Sequence, residues 1–217
     1  MQLIKRITLT LLLSGLFTIQ ARTQDVKPEN GLNAKTDYNY FIRTSYYGFT
    51  NWNTIGITPN IYFYELHLGK EINSRNKIGI KLARVKPFQP LGIQAWELDL
   101  NSDSEWFNGR IEEYGAGVFY QHTLWKGLYA SIEAVPYLKV FLDNSDQKLE
   151  NGFRFYTSYH LGYNIPLFKN RMFIEPQIHC NYWPINSKGP DGFREQVEKH
   201  DNYFLFEPNI YIGFNFN

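Results

Sequence analysis

The segment YFLFEPNIYIGFNFN, residues 203–217, alternates between two kinds of side chain along its whole length. One parity is entirely apolar and consists of Phe204, Phe206, Pro208, Ile210, Ile212, Phe214 and Phe216. The other parity is mostly polar and consists of Tyr203, Leu205, Glu207, Asn209, Tyr211, Gly213, Asn215 and Asn217. Because successive side chains of a β-strand point to opposite faces, the segment predicts a strand with an apolar outer face and a mostly polar inner face.

The same alternation predicts seven further strands upstream. They lie at about 38–49, 60–72, 77–85, 110–124, 128–142, 154–165 and 174–182. Most are near the ~9–11 residues that a tilted membrane-spanning strand requires. Prolines 136, 176 and 208 cannot donate to a ladder, so we expect a bulge at each of them. The pattern predicts an all-β fold, namely an eight-stranded antiparallel up-and-down transmembrane β-barrel over residues 38–217.

The connections between these segments alternate in length. The long connections are residues 50–59, 86–109, 143–151 and 184–202, and the short ones are 73–76, 125–127 and 169–170. Outer-membrane barrels join their strands by short periplasmic turns and longer extracellular loops. The alternation therefore predicts that both termini are periplasmic and that all four long loops are extracellular.

The first 24 residues predict a cleavable secretory signal peptide. They combine basic Lys5 and Arg6 with an apolar run over 7–17 and a small residue, Ala21. This run is shorter than the ~20 residues of a spanning helix, which argues against an N-terminal anchor. Residues 25–37 then form a periplasmic N-terminal segment.

Composition excludes several classes of protein. The 22 basic and 21 acidic residues give a net charge of +1, which gives no sign of a nucleic-acid surface. Cys180 is the one cysteine, so neither an intrachain disulfide nor a cysteine-based zinc cluster can form. The mean hydropathy of −0.40 and the absence of a long apolar run after the signal exclude a polytopic helical membrane protein.

Taken together, residues 38–217 resemble the small eight-stranded outer-membrane barrels of Gram-negative bacteria. This group includes structural, adhesion-related and minor-channel proteins. The last strand, which ends on aromatic Phe216, is similar to the sorting signal that the barrel assembly machinery reads, although Asn217 follows it here. The resemblance implies an outer-membrane location, with the assembly machinery, outer-membrane lipids and lipopolysaccharide as partners, but it implies no particular activity.

The inner parity of the strands places many charged side chains in the lumen. They are Arg43, Glu65, His67, Lys81, Glu113, Glu133, Lys139, Arg154, His160, Glu175, His179 and Glu207. Side chains just fill the interior of an eight-stranded barrel. Since buried charges must be paired, we expect a hydrogen-bonded core and no water-filled pore. Turn lengths predict three cross-strand pairs: Glu113 with Lys139 as an ion pair, Gly115 with Tyr137, and His160 with His179.

Three alternatives assign chemistry to particular residues. His160 and His179, with Glu175 nearby, contain the ligand types of a metal or proton site. Ser158, His160 and Glu175 contain the residue types of a serine triad. The lipid A deacylases are small barrels of that kind, but their His precedes their Ser and faces lipid, whereas here the order is reversed and both residues face inward. The outer loops could bind a ligand through Trp96, Asp99, Trp106, Arg194 and His200.

The sequence thus favours a non-enzymatic barrel with a structural or surface-interaction role. We expect no metal and no cofactor. A membrane-embedded hydrolase of lipid or lipopolysaccharide, or a minor channel for small ligands, remains the alternative.

Overall fold

The computed structural model of the chain describes residues 38–46, 62–86, 109–143, 145–191, 194 and 202–217. The predicted signal peptide, residues 25–37 and most of the long connections lie outside this range. The described chain forms a single antiparallel sheet. Its nine strands are β1 (Tyr40–Ser45), β2 (Tyr62–Asn73), β3 (Asn76–Lys86), β4 (Gly109–Trp125), β5 (Leu128–Asp143), β6 (Lys148–Tyr163), β7 (Ile165–Leu167), β8 (Met172–Asn186) and β9 (Tyr203–Phe216). Within these ranges, no helix is both long and apolar enough to cross a bilayer.

The strand pairings close into a ring. Each strand from β1 to β5 pairs with the next one along the chain, and β1 also pairs with β9, bringing Tyr40 opposite Phe216. On the other side, β9 pairs with β8 and β8 pairs with β6, with His160 opposite His179. The all-β antiparallel prediction is confirmed, and the sheet is ring-like.

The strand count differs from the prediction of eight because the segment predicted at 154–165 is divided. Asn164 lies between β6 and β7, and its backbone N–H donates to the carbonyl oxygen of Gly127 at 2.8 Å. Its side-chain amide donates to Glu175 at 2.8 Å. The strand assignment is interrupted at Asn164, and the three residues of β7 pair with β8 in the same register as β6.

Side chains alternate between a buried inner face and an exposed outer face. In β2, Glu65 and His67 are buried, whereas Leu66 and Leu68 are each 37% exposed. The outer face carries large apolar side chains on strand after strand, among them Ile80, Leu82, Val118, Ile132, Leu138, Leu161, Ile178 and Ile210. Charged residues inside and apolar residues outside reverse the arrangement of a water-soluble protein.

The short turns set the register between strands. Trp125 pairs with Leu128, so two residues, Lys126 and Gly127, form the turn between β4 and β5, where we predicted three. Both have positive φ, 42° and 92°, as a type I′ turn requires. The predicted register beyond the turn is confirmed, with Glu113 opposite Lys139 and Gly115 opposite Tyr137. The turn predicted at 169–170 is wider and spans residues 168–171.

A bulge in β9 changes the predicted facing near its start. The segment of β9 from Glu207 to Phe204 is one residue longer than the segment of β8 that it pairs with, from His179 to Asn181. The extra residue puts Tyr203 opposite outward-facing Tyr182, so its predicted inward facing is wrong. Register runs unshifted through Pro176 opposite Ile210 and Pro136 opposite Phe155, so no bulge forms in those pairings.

Aromatic rings fill the end of the ring that carries the short turns. Phe41, Phe119 and Phe173 form a buried cluster, in which the Phe41 ring centroid lies 5.9 Å from each of the other two. Each ring lies over a glycine that pairs with it across the sheet; these glycines are Gly69, Gly79 and Gly213. A β-carbon on any of them would overlap the facing ring. The glycines thus make room for a closely packed aromatic seal.

Candidate functional site: the buried polar interior

Glu133 is the centre of the interior network. Its carboxylate accepts a hydrogen bond from the Lys81 ammonium at 2.6 Å and lies 3.0 Å from Nε2 of His67. The second imidazole near it, that of His160, lies 3.5 Å away. The Tyr211 hydroxyl donates to the same carboxylate at 3.3 Å. Four strands therefore converge on one buried carboxylate, and a charge this deep is tolerated only because it is paired.

Lys81 joins a second carboxylate to this centre. Its ammonium lies 2.6 Å from Glu65 as well as 2.6 Å from Glu133. The two acids come from β2 and β5, and Lys81 comes from β3 between them along the sheet order. One cation thus bridges two buried anions, through a charge-assisted hydrogen bond to Glu133 and an ion pair with Glu65.

Arg43 forms a neighbouring cluster on the side of the aromatic seal. Its Nη1 donates to Glu175 at 2.6 Å and to Gln121 at 2.6 Å, and Gln121 donates to Glu175 at 3.2 Å. The guanidinium also lies over the rings of Phe119, at 4.8 Å, and Tyr211, at 4.4 Å. Arginine suits this position because its planar group can stack on rings while it binds a carboxylate.

Nearer the long connections, the ion pair differs from the one predicted. Glu113 and Lys139 are register partners, but Glu113 pairs with Arg154 on β6. Lys139 instead donates to the side chain of Asn186 and the carbonyl oxygen of Ser187, each at 2.8 Å. The prediction considered adjacent strands alone, whereas long side chains in a closed ring reach strands further away. The predicted Glu113–Lys139 ion pair is therefore wrong.

The residues proposed for a triad are distributed over separate clusters. The Ser158 hydroxyl donates to Oδ1 of Asn181 at 2.6 Å, and Glu175 is paired with Arg43. His160 lies beside Glu133, and its ring centroid is 5.1 Å from that of His179. In the described part of the chain, the geometry therefore contains no Ser158–His160–Glu175 relay.

The two histidines considered for a metal site face each other edge to face. His179 lies 2.8 Å from Glu207, which also accepts a hydrogen bond from the amide of Asn181 at 2.9 Å. Glu175, the acid considered with these histidines, belongs to the Arg43 cluster. No group of three or more His, Cys, Asp or Glu among the described residues is arranged to hold a metal ion.

Eleven of the twelve residues assigned to the lumen are buried in this interior. The twelfth, Glu207, is 24% exposed at its side chain. Of the loop residues, Arg194 is exposed and lies 3.4 Å from Asp191. Trp96, Asp99, Trp106 and His200 lie outside the described residues.

Sequence reasoning missed two contributors to the interior. Tyr129 is fully buried, and its hydroxyl donates to Gln177 at 3.2 Å. Its inward parity with Ser131 and Glu133 was the available signal. Asn164 shares the inward parity of Ser158 and His160, but it was not assigned to the polar network, in which its amide donates to Glu175.

The fold and the site define an antiparallel all-β protein with a charged interior and an apolar exterior. Among solved structures, the chain is similar to Neisserial surface protein A, with 11% sequence identity and a TM-score of 0.43. The similarity covers 82% of this chain and 97% of that chain. No family model matches the chain. No curated protein matches it either.

Proposed function

We propose that this protein is an integral outer-membrane β-barrel of eight spanning strands with a side-chain-filled lumen and no enzymatic activity. The observation that carries the proposal is the reversed polarity of the sheet, in which Arg43, Lys81 and Glu133 are buried while Ile80, Leu82 and Val118 are exposed. Water would penalise such an exterior, and hydrocarbon would favour it. In this assignment β7 is a short continuation of β6.

Aromatic side chains on the outer surface support the same assignment. Tyr64, Tyr114 and Tyr182 are exposed toward the ends of strands that lead to long connections, whereas Tyr163 and Phe216 are exposed toward the ends near short turns. Aromatic girdles at both interfaces flank an apolar band about 25 Å tall in transmembrane barrels. With the termini in the periplasm, the long connections face the outside of the cell and provide the surface for interaction.

The filled interior supports a structural or surface-interaction role over a channel. The aromatic seal of Phe41, Phe119 and Phe173 occupies one end, and the clusters around Arg43 and Glu133 occupy the middle. Eight-stranded barrels generally have room for side chains and little else. An ion entering this interior would have to displace paired charges.

Membrane fractionation and gel mobility test the location. We expect the protein in the detergent-extracted outer-membrane fraction, with different mobility before and after boiling. Recovery of the folded protein in the soluble periplasm, without a heat-dependent shift, would contradict the proposal.

Planar-bilayer recording tests the filled lumen. We expect no large, steady conductance from the protein, and a measurable increase when Phe41, Phe119 and Phe173 are all replaced by Ala. A triple substitution of exposed Ile80, Leu82 and Val118 by Ala is the matched control and should leave conductance unchanged. Large steady channels in the unmodified protein would contradict a filled lumen.

A further inference from the structure

A groove of about 500 Å³ lies on the outer surface where β2, β3 and β4 adjoin. Leu66, Leu82 and Ala116 line it and are register partners in one row across the three strands. Ala116 is the smallest of the three, and on the same face of β4 it lies between the larger side chains of Tyr114 and Val118. The groove is therefore a mostly apolar depression at this point of the outer surface.

Arg84 lies at the end of this groove that points toward the long connections. It is the register partner of Tyr64 on one side and Tyr114 on the other, and all three line the groove. Its guanidinium lies 5.4 Å from the Tyr114 ring centroid and 5.1 Å from that of Tyr62. The side chain is still 53% exposed. Stacking holds the guanidinium in place, and its donors remain accessible to an anion.

Further charges surround Arg84. Lys86 follows on the same face of β3, with its ammonium 6.0 Å from the Tyr62 ring centroid. Glu112 lies 3.4 Å from Arg84, but it also accepts closer hydrogen bonds from Tyr114, at 2.6 Å, and Arg110, at 3.1 Å.

Arg110 also forms an ion pair with Asp146. The three cations Arg84, Lys86 and Arg110 therefore face two carboxylates, those of Glu112 and Asp146, which leaves one positive charge in excess. A net positive site therefore lies directly beside the apolar groove.

This combination matches an amphiphile with an anionic head and an acyl chain. We propose that the groove binds lipid A, the anchor of lipopolysaccharide, with a phosphate on Arg84 and Lys86 and an acyl chain over Leu66, Leu82 and Ala116. Charge-assisted hydrogen bonds from a guanidinium suit phosphate oxygens. The inference rests on the proposed outer-membrane function, because that orientation places this end of the sheet in the outer leaflet, where lipopolysaccharide lies.

Native mass spectrometry of the folded protein in a neutral detergent tests the site. The probes are lipid A, the same lipid A after removal of its phosphates, and phosphatidylglycerol. We expect lipid A to be retained most strongly and Arg84→Gln to reduce its retention about tenfold, the loss of one charge-assisted contact. Ala116→Leu should reduce retention too, because it fills the groove and leaves every charge in place.

Lys70→Gln is the matched control, since Lys70 is an exposed cation on the outer face at the opposite end of β2. Each variant is first checked for the heat-dependent mobility shift of the folded protein. The site would be overturned if Lys70→Gln lost as much lipid A retention as Arg84→Gln. It would also be overturned if lipid A without phosphates were retained as strongly as intact lipid A. Stronger retention of phosphatidylglycerol would overturn lipid A as its occupant.

Lipid binding in detergent and membrane fractionation distinguish failure of the lipid A site from failure of the proposed function. Binding in detergent does not depend on where the cell places the protein, whereas fractionation does. A protein in the outer membrane without selective retention overturns the lipid site alone. Selective retention by a protein found in the soluble periplasm supports the site and overturns the outer-membrane function.

Discussion

Two regions of the interior, one end and the middle, are filled in different ways. The end with the short turns is closed by Phe41, Phe119 and Phe173, which lie against glycines, whereas the middle is filled by ion pairs around Glu133. Aromatic packing requires complementary shapes, but the ring atoms require no hydrogen-bonding partners. Ion pairs need every charge to be matched, since an unmatched one is far more costly than a void. Removing one side-chain group should therefore lower the free energy of unfolding more in the middle than at the aromatic seal.

Glu133→Ala should give the largest loss of stability. It leaves Lys81 with one carboxylate in place of two and removes the acceptor near His67. Breaking a buried ion pair in this way costs about 3–5 kcal/mol. The measurement is a urea titration of the protein in lipid vesicles, followed by tryptophan fluorescence.

Glu150→Ala is the matched control for this change, because Glu150 is an exposed carboxylate on β6. It should leave the unfolding midpoint unchanged. Equal midpoints for Glu133→Ala and Glu150→Ala would show that the central ion pairs contribute nothing to stability.

Gly213→Ala should give an intermediate loss at the seal. The added methyl group overlaps the Phe173 ring, and overpacking of this kind costs about 1–3 kcal/mol. Phe173→Leu in the same chain should recover part of the loss, as judged by the same urea titration. An unchanged unfolding midpoint for Gly213→Ala would mean that the Phe173 ring moves aside freely and that the seal is loosely packed.

Lys77→Met should give the smallest loss. Lys77 lies 3.0 Å from Glu71 and within 5.1 Å of the Phe41 ring centroid, so it covers the seal at its outer edge. Its side chain is 14% exposed, and the loss should be about 1 kcal/mol or less.

Lys70→Met provides the comparison for Lys77→Met, because Lys70 lies over Tyr40 on the outer face near the same end of the sheet. The Lys77→Met loss should shrink at high salt, as expected for a partly solvated ion pair. A loss as large as that of Glu133→Ala would remove the distinction between the two regions.

The facing of side chains could be predicted because it depends on parity alone. Arg43, Lys81 and Glu175 belong to different strands, yet each was assigned inward from its own neighbours in sequence, and each is buried. The register beyond the β4–β5 turn was also predicted, although the turn is one residue shorter than expected, because a register shift between Thr123 and Trp125 offsets the difference. Local rules therefore account for most of the ring.

Parity could not predict which buried charges pair with each other, or where the strands are irregular. Glu113 pairs with Arg154, which lies on a different strand from its register partner, and alternation says nothing about reach across an interior. The β9 bulge inserts a single residue and turns Tyr203 outward, although the alternating pattern continues through it. At Pro136 the pairing with β4 is interrupted between Gly115–Tyr137 and Val118–Ala134 without any shift of register. The ladder there accommodates a missing N–H without a bulge.

The pairing of Tyr40 with Phe216 also has a kinetic consequence. It joins the first described strand to the last, so the ring cannot close until β9 has been synthesised. Contacts between such distant parts of a chain slow folding, because the entropy of loop closure is lost before the contact forms. Until then, the edges of β1 and β9 are open to pairing with other chains. Weakening the pairing between β1 and β9 should therefore lengthen the lifetime of an open, aggregation-prone intermediate.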